Sequence, residues 1–115
     1  MSTDIPRAPR GLGASGKALW RAVLTDYELD EHETSILTQA CRVADACDKL
    51  QSIIDTEGIM SESSQGARVH PALVELRQQG IALARLMTAL RIPAGEQSDG
   101  RSQSRPGVRG VYGIA

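Results

Sequence analysis

The stretch DEHETSILTQACRVADACDKLQSIIDTEG, residues 30–58, decides the fold. Asp30 is a helix-capping residue, Glu33 three places on completes a capping box, and Gly58 supplies a stop. Between these signals Ile36, Ala40, Val43, Cys47, Leu50 and Ile54 recur at alternating spacings of four and three, the seam of a coiled-coil-like contact. Leu37, Cys41, Ala44 and Ile53 widen the stripe. One helix to about Glu57 that buries more than one side is therefore predicted.

Its partners lie on either side. Downstream, Ile59 to Val69 has short apolar ends around a polar, Gly-containing centre, which predicts a small β-hairpin or an ordered loop. Pro71 then suits the first position of a third helix running to about Arg91, and Pro93 forbids its continuation. Leu73, Leu76, Gly80, Leu83, Met87 and Leu90 alternate three and four, so the two long helices should pack antiparallel. Val74, Ile81 and Leu86 fall off that seam and need cover from elsewhere. Upstream, a short helix from Ser15, read as its N-cap, to about Asp26 carries Leu19, Trp20, Val23 and Leu24 on one face. The fold class is mainly α: a short N-terminal helix and a long antiparallel helical hairpin, with a small β-hairpin or loop between the long helices.

Composition bounds what this fold can be. The 115 residues make one domain, with no Phe and 3% aromatics, so the core is thin and oligomerisation is a ready way to complete it. Three zones are expected: a flexible basic arm over 1–14, a helical oligomerisation domain over 15–93, and a flexible Gly/Ser/Arg tail over 94–115. Net charge is −1, but it is unevenly spread. Residues 1–17 carry +2, residues 18–93 carry seven basic against eleven acidic groups, and Arg101, Arg105 and Arg109 give +3 beyond Gly100. No signal peptide or membrane span is read. Cys41 and Cys47, six apart on one helix, point to a reduced compartment and to thiols that act as small hydrophobes.

Chemical motifs are weak. Gly11-Leu12-Gly13-Ala14-Ser15-Gly16-Lys17-Ala18 nearly spells a phosphate-binding P-loop, yet Ala18 stands where the metal-binding hydroxyl belongs and no strand precedes it; a flexible lead into the first helix is the better reading. Glu31-His32-Glu33 lacks the second His that a zinc helix needs, position 36 being Ile. Asp26, Glu28, Asp30, Glu31 and Glu33 suit a helix start more than acid-base chemistry. His70 before Pro71 marks a helix boundary, and no Ser or Cys has a nucleophile's setting. No catalytic residue, metal site or cofactor is assigned.

The order of these features resembles something specific: Trp20 in the first helix, Leu29-Asp30 opening the long second one, Gly58 after it, a polar hairpin, His70-Pro71, and Leu90-Arg91-Ile92-Pro93 closing a Leu-rich helix. Over residues 15–93 the chain looks like the small subunit of a tailed-bacteriophage terminase, although Glu96 and Asp99 dilute the basic segment often found after the final proline. The resemblance implies a non-enzymatic subunit in the host cytoplasm that assembles into a homo-oligomeric ring. It would bind double-stranded viral DNA and present it to the large terminase subunit, which has the ATPase and nuclease. In that setting Arg7, Arg10, Lys17, Arg101, Arg105 and Arg109 are the expected phosphate contacts, since basic arms add up around a ring. Trp20, Ile36, Val43, Leu50, Ile54, Leu73, Leu76, Leu83 and Met87 are the expected core and subunit contacts. The tip Val111-Tyr112-Gly113-Ile114 offers an apolar hook for the large subunit. A helix-turn-helix regulator is a rival, but the second helix opens with Asp30, Glu31 and Glu33, which phosphate would repel. A helical scaffold without DNA is the other.

Overall fold

A computed structural model describes residues 5–92, in the order α1 (Ala14–Asp26), α2 (Glu31–Glu57), β1 (Met60–Ser63), β2 (Gly66–Val69) and α3 (Pro71–Ala89). The tail expected over 94–115, with Arg101, Arg105, Arg109 and the Val111–Ile114 tip, lies outside the described residues.

Local rules set most boundaries. Asp30 caps α2 in a capping box, its backbone N–H donating to Glu33 Oε1 at 2.8 Å. At the far end Gly58 adopts φ 86° and its N–H donates to the Ile54 carbonyl at 2.7 Å, a left-handed stop that glycine reaches without strain. β1 and β2 pair antiparallel, Met60 opposite Val69 and Ser63 opposite Gly66. Pro71 then opens α3, where the missing N–H of proline costs nothing.

His70 joins the two long helices. Its Nδ1 accepts from the Ala72 N–H at 2.9 Å, which caps α3, so Nε2 carries the proton and donates to Glu57 Oε1 at 2.6 Å. The last turn of α2 is thereby tied to the first turn of α3.

The core lies at the other end of this helical pair. Trp20, Val23 and Leu24 of α1 pack with Leu37 and Cys41 of α2, with Leu90 just past α3, and with Leu12 ahead of α1. The deepest part of α2 therefore keeps Ala40 and Ile54 of the expected seam but is shifted towards the Leu37/Cys41 side of it. Leu37, Ala40 and Cys41 are fully buried, Ile54 is buried, and Ile36, Val43 and Leu50 are only half-buried, because α1 sits on the Leu37/Cys41 side. On α3, Leu73, Leu76, Leu83 and Met87 are half-buried, and a Cβ added at Gly80 would meet nothing within 4 Å. Beyond the reach of α1 the fold has two layers, and Ile53, Ile59, Met60, Val69, Val74 and Ile81 stand exposed.

Three expectations are corrected. α1 begins at Ala14 with Gly13 as N-cap, not at Ser15, because another helix supplies the capping group. α3 ends at Ala89, not near Arg91: Arg91 takes φ 60°, which turns the chain so that Leu90 is buried and Ile92 folds back onto the core. Residues 5–13 are packed, not a free arm. Leu12 is buried, Ile5 and Ala8 lie against the core, and Trp20 Nε1–H donates to the Pro6 carbonyl at 2.8 Å.

The His70 bridge has a measurable consequence. His70→Ala removes the cap and should cost about 1 kcal/mol, a fall of roughly 4–8 °C in the thermal midpoint of a domain this size. Glu57→Ala keeps the cap and should cost less, Glu57 being solvent-exposed. Circular dichroism melts at equal protein concentration check both.

Candidate nucleic-acid interface

The near-P-loop stretch is built around an aspartate 29 and 32 residues away. Asp45, midway along α2, accepts the Gly13 N–H on Oδ2 at 2.7 Å and the Gly16 N–H on Oδ1 at 2.8 Å. These are first-turn amides with no partner inside α1, and the carboxylate also faces the positive end of the helix dipole. The amides a P-loop would turn towards phosphate are occupied by the protein's own anion. Gly16 is required for a second reason: a Cβ there would lie 2.9 Å from the Cys41 carbonyl, as well as against Asp45.

Asp45 is held by amides, and among the described residues the cations beside it have no carboxylate within 4 Å. Arg10, Arg42 and Lys49 line one shallow cleft of about 250 Å³ together with Gly11, Leu12, Asp45 and Ala46. Arg42, Asp45 and Lys49 share one face of α2 at spacings of three and four. Lys17 and Arg21, four apart on α1, border a second cleft of about 320 Å³ lined by Ile5, Pro6, Ala8 and Trp20. All five cations are exposed, as is Arg7. Among the described residues the one ion pair within 4 Å is His70 with Glu57, far from this surface in the fold.

Of the phosphate contacts expected from the sequence, the structure puts Arg10 in the first cleft and Lys17 in the second, and leaves Arg7 on the exposed part of the same N-terminal segment. Arg21, Arg42 and Lys49 join them. Sequence reasoning misses these three, although the Arg42, Asp45, Lys49 spacing is legible as a charged stripe on α2.

A cluster of acidic residues lies at the opposite end of α1. Asp30, His32 and Glu33 place ligand-type atoms within 4.8 Å of one another, all exposed or half-exposed, and Glu33 is engaged with the Asp30 N–H. The cluster is a helix start.

No protein-family model, no curated protein and no solved structure matches the chain. No helix among the described residues is long and apolar enough to cross a membrane.

Cys41 reports on the Asp45 contact. Burial, and then the Asp45 charge, push its thiol from 9.0 up to about 11; Cys47 is also raised, by burial and then by Asp48, but is only half-buried. The folded chain thus holds the Cys41 proton more tightly than an unfolded one. The stability this provides is full below pH 9.0 and declines as pH rises towards 11. Iodoacetamide in mildly alkaline buffer should modify Cys47 first and leave Cys41 protected. Asp45→Ala leaves two amides unpaired at a cost of about 1–3 kcal/mol, and it should speed Cys41 alkylation, which mass spectrometry of the labelled peptides would read.

Proposed function

We propose that the chain is a terminase small subunit: a non-catalytic protein that self-assembles, binds double-stranded viral DNA in the host cytoplasm and hands it to the large subunit for packaging. The observation that carries the DNA part is the group of exposed cations around the α1 N-terminus, none in an ion pair within 4 Å among the described residues. Guanidinium and ammonium groups left without carboxylates are available to phosphate, and each phosphate they neutralise releases condensed counterions.

Contact is with the phosphodiester backbone. Arg10, Arg42 and Lys49 surround a shallow cleft and project from no helix end that could enter a major groove, so any sequence preference would come from DNA shape. The acidic turn between α1 and α2 disfavours a helix-turn-helix mode, whose recognition helix would start at Asp30, Glu31 and Glu33. Arg101, Arg105 and Arg109 would add a second set of phosphate contacts in this reading.

Assembly is supported by the exposed apolar side chains of the two-layer half of the fold. Copies packed there would also multiply the modest affinity of each basic cluster.

The test is the salt dependence of binding to a random-sequence duplex, followed by fluorescence anisotropy. Wild-type protein should bind at low salt and weaken steeply. The triple substitution Arg10→Ala, Arg42→Ala, Lys49→Ala should flatten the log–log slope by about 0.9 for each phosphate that the variant leaves un-neutralised. Light scattering should give the variant the mass of the wild type, a multiple of 12.3 kDa. A wild-type protein that ignores DNA at low salt would leave the scaffold reading in its place.

A further inference from the structure

A groove of about 540 Å³ runs beside the first two turns of α3, lined by Val69, Leu73, Val74, Leu76 and Arg77. Its walls are apolar apart from Arg77, and Val69 and Val74 keep 47% and 44% of their surface exposed. No residue of α1, which covers the other half of the helical pair, lines it. Such a groove is a docking surface when a complementary segment is at hand.

The chain carries one. Residues 93–115 lie outside the described residues, and their sequence has no large apolar side chain before Val108; Val111, Tyr112 and Ile114 then follow close together. Ile92, where this stretch leaves, is packed against the core. From there the middle of the groove is about 20–25 Å back along α3, at 1.5 Å per residue. A Gly/Ser-rich chain of 18 residues, the length of 93–110, has an r.m.s. span of about 21–25 Å. The tether matches the distance, which is the condition for the highest effective concentration of a linked segment, on the order of millimolar. A copy free in solution at micromolar concentration competes at a disadvantage of about a thousandfold.

We infer that the groove holds the chain's own Val111–Ile114 segment, with the Tyr112 ring against Leu73 and Leu76 and the Arg77 guanidinium on the ring face as a cation–π partner. Arg109, two residues ahead of the segment, is then brought towards Glu75, whose carboxylate accepts the Gln79 Nε2–H at 2.8 Å. The segment thus has a site within its own subunit before it meets any other protein. Ile53, Ile59, Met60 and Ile81 are exposed and line no part of the groove, so they stay available for contacts between copies. The inference therefore stands apart from both the assembly and the DNA readings.

Disulfide trapping in the full chain tests it, in a Cys47→Ser background so that the one native thiol left is the buried Cys41. Val74→Cys on the groove and Gly113→Cys in the segment form the test pair; Ser52→Cys, exposed on α2 and outside the groove, forms the reference pair with Gly113→Cys. In a glutathione redox buffer the test pair should close into a one-chain disulfide with an effective concentration about tenfold or more above that of the reference pair. Mass spectrometry of the unreduced protein reads the product, and circular dichroism confirms folding. Adding Tyr112→Ser and Ile114→Ser should bring the test pair down to the reference value and leave the reference pair unchanged. Equal values for the two pairs, or a test pair indifferent to the serines, would overturn the docking. A two-chain disulfide in place of the one-chain product would overturn the choice of occupant, the groove then taking the segment of a second copy.

Discussion

One carboxylate holds the architecture in place. Asp45 accepts two amides from the start of α1, so it fixes both the axial position of α1 along α2 and the direction in which the chain arrives. Gly16 lets the helices approach until the first turn of α1 rests on the Cys41 carbonyl. With α1 placed, Trp20, Val23 and Leu24 cover Leu37 and Cys41, and the preceding segment closes the edge through Leu12 and the Trp20–Pro6 hydrogen bond. The same contact removes Asp45 as an ion-pair partner for Arg10, Arg42 and Lys49. The interaction that completes the core also leaves that surface positive.

The length of α1 explains the asymmetry of the rest. It has 13 residues and α2 has 27, or about 20 Å against about 40 Å at 1.5 Å per residue. A third layer therefore exists over half of α2 only. The other half relies on Ile54, Ala72 and half-buried leucines, with the His70 bridge pinning its far end. A chain without Phe has few large side chains to spread over such a length, and the apolar groups left exposed lie where the third layer stops.

What can be read from the sequence follows the range of the interactions involved. The capping box at Asp30, the Gly58 stop, the His70-Pro71 boundary and the hairpin are all legible, because each is decided by residues within a few positions of one another. The heptad-like spacing establishes the existence and pairing of α2 and α3 but not which stripe lies deepest. That choice depends on α1, and nothing in the spacing of Ile36, Val43 and Leu50 against Leu37 and Cys41 says where α1 packs. The glycine-rich lead into α1 reads as flexible because its partner, Asp45, is about thirty residues away. Arg42 and Lys49 are obscure for the same reason, since their spacing gains meaning only once the segment bearing Arg10 lies beside them. The left-handed turn at Arg91 has no glycine to announce it; burial of Leu90 and Ile92 on either side imposes it.

Net charge is a poor guide to what such a molecule attracts. The value of −1 averages a basic surface at the start of α1 and the acids Asp26, Glu28, Asp30, Glu31 and Glu33 at its end. These lie about 20 Å apart by the length of the helix, whereas the Debye length at physiological salt is about 8 Å. The two ends are therefore screened from each other, and an approaching phosphate responds to whichever is nearer. Under the DNA-binding reading the acidic end acts as well. It would repel a backbone that strays along α1, so the duplex would engage the N-terminal side of each subunit.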